Sequence, residues 1–447
     1  MLFSALLLLL VCAVTAGLAQ PQSPQGRGVT QRPLAAEPVT AATHDPIAVL
    51  DARIEAGEVT VAADDEHGYL RALLETLDVP VSSQGLVFSR TSLQTDRISP
   101  WTPRALYFND DVYVGWVQDS PVMEIASIDP DEGAVFYTVP QDGGNRPIFQ
   151  RQTTTCLMCH ESRSVTGGIP GVIVRSVLTD RLGYVIGEVQ EGSVTARTPF
   201  EKRFGGYYVT GTHGQPSHAG NTLSPLLSHE VHDVDAYLRG FDRADNGNTT
   251  DLSGRFDVAP YLTGHSDLVA LLVLAHQGRV HNTIIQVREA TREALRDQEA
   301  RLRSSGEQPP ASGVLPATQH RIDSAVDRLL RDMLLSGEAP LSGPLQGTSG
   351  FAEEFASTGP TDSKGRSLRD LDLNTRLFRY PLSFLIYSES FDALPDIVKD
   401  AFYPGLHAVL TGRDRGEDFI HLSDADRAAI LEILEETKPE FVARRTG

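Results

Sequence analysis

Residues 156–160 read Cys156-Leu157-Met158-Cys159-His160, two cysteines three positions apart with a histidine directly after the second. Thiols at that spacing can each close a thioether onto one of two vinyl groups of a porphyrin. The adjoining imidazole can then supply the iron's proximal nitrogen, so C-x-x-C-H is the attachment pattern of c-type haem. Cys156 and Cys159 are expected to carry one covalent haem, with His160 as iron ligand. Structural zinc would need about four ligands, usually a second Cys/His pair, and the chain's third cysteine is the distant Cys12. A thioredoxin-like pair opens a helix after a parallel strand, whereas Thr153-Thr154-Thr155 and an antiparallel pattern precede this one. A disulfide or redox pair stays open as the alternative.

The sixth iron ligand is sought among histidines and methionines. His276 follows LVALLVLA, a stretch apolar on every side, where an imidazole needs a partner. His281 lies just beyond it. His213 and His218 fall in a glycine-rich segment, 205–221, whose small residues allow backbone to approach a flat cofactor. His276 is the first choice and His213 the second; Met123 and Met333 read better as core. Arg175, Lys202 and Arg203 are candidates for haem propionates, each with an ordinary surface charge as its plainer reading. The segment 242–253 resembles a calcium loop but has Ala244 at the third position and Ser253 where a bidentate glutamate is needed, so it reads as a turn.

The elements that must position these residues are legible in outline. Residues 66–77 suit a helix, with Leu70, Leu73, Leu74 and Leu77 on one face. Four short aromatic and β-branched runs between 104 and 139, separated by Asp, Pro and Gly turns, suit an antiparallel meander. Two more strands are expected at 172–178 and 184–187. Beyond them come a long helix from a Ser266-Asp267 cap to about 303, another at 321–335, an extended loop over 337–367, and a last helix opening at Ser423. The fold class is α+β: a sheet-rich region, 45–260, carrying the haem, followed by a mainly helical region, 261–447, packed on it. It is not a minimal all-α cytochrome c.

The chain has 447 residues, 40% hydrophobic and 22% charged, with a formal charge of -20. That composition excludes wholesale disorder, and three cysteines exclude a disulfide scaffold. The acidic balance argues against nucleic acid and anionic lipid as partners. Residues 2–16 form an uncharged apolar run followed by Gly17-Leu18-Ala19, which suits an export signal, 1–19, cleaved after Ala19. A permanent anchor is the alternative. Residues 20–44, rich in Pro, Gln, Ala and Thr, suit a flexible leader. The mature chain is then expected to be periplasmic or extracellular, with no membrane span and with Cys156 and Cys159 as its only cysteines.

The chain also resembles a group of bacterial exported, single-haem proteins defined by a cytochrome c domain. The matching strings are Tyr107-Phe108-Asn109-Asp110-Asp111-Val112-Tyr113-Val114-Gly115-Trp116, the motif itself, Gly171-Val172-Ile173-Val174-Arg175-Ser176, Gly206-Tyr207-Tyr208-Val209-Thr210-Gly211-Thr212-His213-Gly214 and Arg376-Leu377-Phe378-Arg379-Tyr380-Pro381. The resemblance runs from about residue 100 to the C-terminus. It implies haem binding and electron transfer, with no defined substrate. Relatives carry His-Met-Gly-Asn where this chain has His218-Ala219-Gly220-Asn221, which removes one methionine and favours a histidine as sixth ligand. The expected function is therefore an exported c-type cytochrome serving a periplasmic redox partner, a basic one by charge complementarity. A haem enzyme, peroxidase- or oxidase-like, or a gas-binding protein with an open sixth position is the alternative.

Overall fold

A computed structural model describes residues 44–214, 217–241 and 248–446. The expected export segment, the leader up to residue 43, and residues 242–247 of the calcium-like loop lie outside these. The described residues form one compact unit, and the class is α+β. Its centre is a seven-stranded antiparallel sheet built from β1 (Gly85–Val87), β2 (Arg104–Phe108), β3 (Val112–Trp116), β4 (Val122–Asp129), β5 (Gly133–Pro140), β6 (Gln150–Arg151) and β9 (Tyr207–Tyr208), in the order β6-β5-β4-β3-β2-β1-β9. The meander β2–β5 falls on the four runs expected from sequence. β7 (Ser176–Asp180) and β8 (Val185–Gln190) pair antiparallel in a second sheet, with β10 (Leu223–Ser224) parallel to β7.

Alternation along the strands gives the large sheet two apolar faces. One carries Ala105, Tyr107, Val114, Met123, Ile125, Val135 and Tyr137, which pack with α1 (Pro46–Glu55) and α2 (Leu70–Thr76). The other carries Phe108, Tyr113, Ile128, Ala134 and Phe136. It is covered by the first turns of α5 (Leu268–Ser305), which follows the short helices α3 (Leu157–His160) and α4 (Val234–Gly240). Asp267 caps α5 by accepting from the Val269 and Ala270 amides, and its other oxygen accepts from the Thr348 and Ser349 amides, pinning a distant loop to the helix start. From Leu268 to Ile285 every residue of α5 except Arg279 is buried, which accounts for the unbroken apolar run over 268–275 and places the polar residues of 276–283 inside the fold.

Gly306 ends α5 in the left-handed conformation, and α6 (Pro316–Met333) returns antiparallel against it. Within the loop expected over 337–367 there is one short helix, α7 (Phe351–Ala356). The C-terminal layer comprises α8 (Glu389–Asp392), α9 (Asp396–Leu410), α10 (Asp424–Thr437) and α11 (Pro439–Arg444). Ser423 opens α10 with a reciprocal capping box to Asp426, as its sequence suggested. Among the described residues no helix is long and apolar enough to cross a membrane.

Candidate functional site

The Cys-x-x-Cys-His segment forms a single helical turn. Cys156 is its N-terminal boundary, the Cys156 carbonyl accepts from the Cys159 and His160 amides at 3.2 and 3.0 Å, and Leu157–His160 is α3. Positions i and i+3 of one turn share a face, so Cys156 and Cys159 lie on the same side of the segment. Both are free thiols; Cys156 is half-buried and Cys159 exposed. Cys156 and Leu157 rest against the core between α5 and the sheet, while Met158 is 83% exposed. Burial, followed by the nearby charge of Glu124 and by Cys159, pushes the Cys156 thiol up to about 11.

His160 is fixed on two sides. Its Nδ1 lies 2.9 Å from the Gly171 carbonyl, which can only accept, so Nδ1 carries the proton and Nε2 keeps its lone pair. The backbone reciprocates, the Gly171 amide donating to the His160 carbonyl at 2.9 Å. The ring packs on Phe136 of β5 with centroids 4.5 Å apart. Burial holds the imidazole below its usual pKa, against the opposing effect of the Gly171 hydrogen bond, so the ring is neutral at neutral pH.

The loop carrying Gly171 is anchored by α5. The Asn282 side chain accepts from the Val172 amide at 2.9 Å and donates to the Val172 carbonyl at 2.7 Å; Gln286 donates to Thr166 O at 2.8 Å. A Cβ on Gly171 would stand 2.5 Å from Asn282 Oδ1, so this approach requires glycine.

A charged network lies beside the motif. Arg104 of β2 donates to Glu124 of β4 at 2.7 Å, and Gln94 donates to the other Glu124 oxygen at 3.2 Å. Both Arg104 and Glu124 act electrostatically on His160. Arg104 Nε is buried and meets no acceptor. Sequence reasoning missed Arg104; the available signal was a lone cation in the otherwise apolar strand Arg104-Ala105-Leu106-Tyr107-Phe108. The residues expected to meet propionates are engaged or exposed instead. Arg175 pairs with Glu188, Lys202 is exposed, and Arg203 is buried with Nε and Nη2 on the Thr198 and Ala196 carbonyls. Burial brings the Arg203 guanidinium down to about 10.

The sixth-ligand candidates fall into two groups. His276 and His281 lie in α5. His276 is buried, with Nε2 2.9 Å from Ser383 Oγ and its ring edge-on to Phe378, and burial pushes it down to about 3. His281 donates from Nε2 to the Asp110 carbonyl at 2.8 Å. His213 and His218 form a pair, ring centroids 4.9 Å apart, both against Phe200. His213 donates from Nδ1 to the Gly214 carbonyl at 2.7 Å, and its Nε2 is buried without a partner. His218 accepts from the Gly220 amide, and burial with the adjacent His213 holds it near 3. Met333 is buried at the end of α6, and Met123 lies on the sheet face opposite Cys156.

Comparison with protein-family models, with curated proteins and with solved structures finds no match for this chain.

Proposed function

We propose that the chain is an exported c-type cytochrome that carries one covalent haem on Cys156 and Cys159, with His160 as proximal ligand, and that it acts in electron transfer. The observation that carries this reading is the state of His160: a neutral imidazole whose Nδ1–H is tied to a backbone carbonyl while Nε2 keeps its lone pair, next to two free thiols on one face of a turn. Haem bound there would supply one-electron redox chemistry. Cys156 and Cys159 would hold it, His160 would orient it, and the unsatisfied Nε of Arg104 would offer a propionate a buried donor. Phe136 fixes the plane of the His160 ring and keeps water from one side of it. The charge of -20 favours a basic partner, with association weakening as salt rises.

His213 carries the sixth-ligand reading better than His276. It has the same tautomer as His160, Nδ1–H on a carbonyl and a bare Nε2, whereas the Nε2 of His276 is already engaged. The engagement of His276 also supports the second reading, a haem enzyme or gas-binding protein with an exchangeable sixth position.

The test is the spectrum of protein matured with haem-attachment machinery. A c-type pyridine haemochrome is expected, lost in Cys156→Ser/Cys159→Ser; its absence from the unaltered protein would reject the proposal. A low-spin ferric spectrum that turns high-spin in His213→Ala supports the carrier reading. Fast carbon monoxide binding to the ferrous protein supports the second.

A further inference from the structure

Away from the motif, a groove of about 930 Å³ opens between the end of α2, the β2–β3 turn, α7 and the segment leading to α8. Its volume lies in the upper range of small-molecule sites. Aromatic rings form much of its wall: Phe108, Phe351, Phe355, Phe384 and Tyr387. Five carboxylates also line it, those of Glu75, Asp78, Asp110, Asp111 and Glu354, against one cation, Arg369. Arg369 is already paired with Asp110, so the groove retains a strong negative excess.

Two further observations point to the ligand's chemistry. The Arg369 guanidinium lies over Phe355 at 4.7 Å and over Phe384 at 4.4 Å, so these rings already accept an organic cation on their faces. Asp111 is half-buried beside Asp110 and Glu389, with Arg369 as the nearby cation, and among the described residues nothing donates a hydrogen bond to its carboxylate. Arg369 is shared with Asp110, so the like charges around Asp111 outnumber the one cation. Among the described residues no three acidic, cysteine or histidine side chains converge on one ion-sized point, so the arrangement suits a diffuse cation.

We propose that this groove binds a small organic cation, an ammonium or guanidinium group carried on an apolar or aromatic body. The charge would be held at Asp111 and the body would lie against the phenylalanine rings.

The test is calorimetric titration of the full protein with phenethylammonium at pH 8 and low ionic strength, with phenylacetate and 2-phenylethanol as isosteric controls. One saturable site is expected for the ammonium, with at least tenfold weaker binding of both controls and at least tenfold weaker ammonium binding in Asp111→Asn. Glu75→Gln/Glu354→Gln, which changes only exposed rim carboxylates, should weaken binding several-fold and serves if the first variant does not fold. Equal affinity for the neutral alcohol, undiminished binding in a folded variant, or no saturation by the amine overturns the proposal. Binding of tetralysine without binding of phenethylammonium also overturns it, by making the groove a peptide-docking surface.

Discussion

Haem-free protein should discriminate sharply between its two thiols, although they sit three residues apart. Alkylation requires thiolate, and the Cys156 thiol is pushed up to about 11 by burial, by Glu124 and by Cys159. At pH 8 that leaves about one Cys156 thiol in a thousand ionised. The exposure of Cys159 adds to the contrast. The assay is timed reaction with iodoacetamide, quenched and digested with trypsin. Both cysteines fall in one peptide, 152–163, so fragment ions must assign the label. Cys159, the exposed thiol, is expected to label first, and the Cys156 rate to climb about tenfold per pH unit through pH 10. Glu124→Gln should speed Cys156 several-fold, by removing the second of the three causes. Equal rates, or a Cys156 rate flat above pH 9, would refute the assignment of a buried, charge-suppressed thiol. After haem attachment neither thiol should react.

Three further outcomes are expected. Asn282→Ala strips the Val172 amide and carbonyl of their buried partners and should cost about 2–3 kcal/mol in urea unfolding, with amide exchange accelerating first in 160–172; a loss below about 0.5 kcal/mol would contradict the anchoring role. Asp111, raised to about 7 by burial and by Asp110 and Glu389, is protonated in the folded chain and ionised in the unfolded chain across about pH 4–7. Stability from this group is thus present below pH 4 and lost as pH rises through 7. Asp111→Asn should match the native protein at pH 4 and exceed it by about 1–3 kcal/mol above pH 7, the full shift of about 4 kcal/mol being reduced by partial solvation; a pH-independent difference would reject this origin. His276 shows the opposite sign. Burial holds it near 3, so unfolded chains take up its proton first and stability falls as pH drops from about 6.5 towards 3. His276→Asn should flatten that acid limb, by up to about 4 kcal/mol, in denaturant titrations at stepped pH.

What could be read from sequence follows the range of the interactions involved. The strands β2–β5 were legible because alternation and turn residues are local, and so was α5, from its Asp267 cap and unbroken apolar run. The strands β1 and β9 are three and two residues long and are held by pairing with distant partners, which no local pattern encodes. Helix α9 contains Pro404-Gly405, a pair that reads locally as a break, yet the helix continues through it. The motif at 156–160 is local and was legible. Arg104, Gly171 and Asn282 join it from three separate segments, and the groove draws on six. Ranking His276 above His213 rested on its buried helix alone, since the hydroxyl of Ser383 that satisfies it is 107 residues away.

The double tie between His160 and Gly171, and the close approach of Asn282 behind it, also has an evolutionary consequence. A larger residue at 171 collides with Asn282, a different residue at 282 releases the Val172 backbone, and either displaces the carbonyl that sets the histidine's tautomer. No one of the three positions can drift alone. Among chains that keep this architecture, 160, 171 and 282 should vary as a triple or stay unchanged, although 122 positions separate the first from the last.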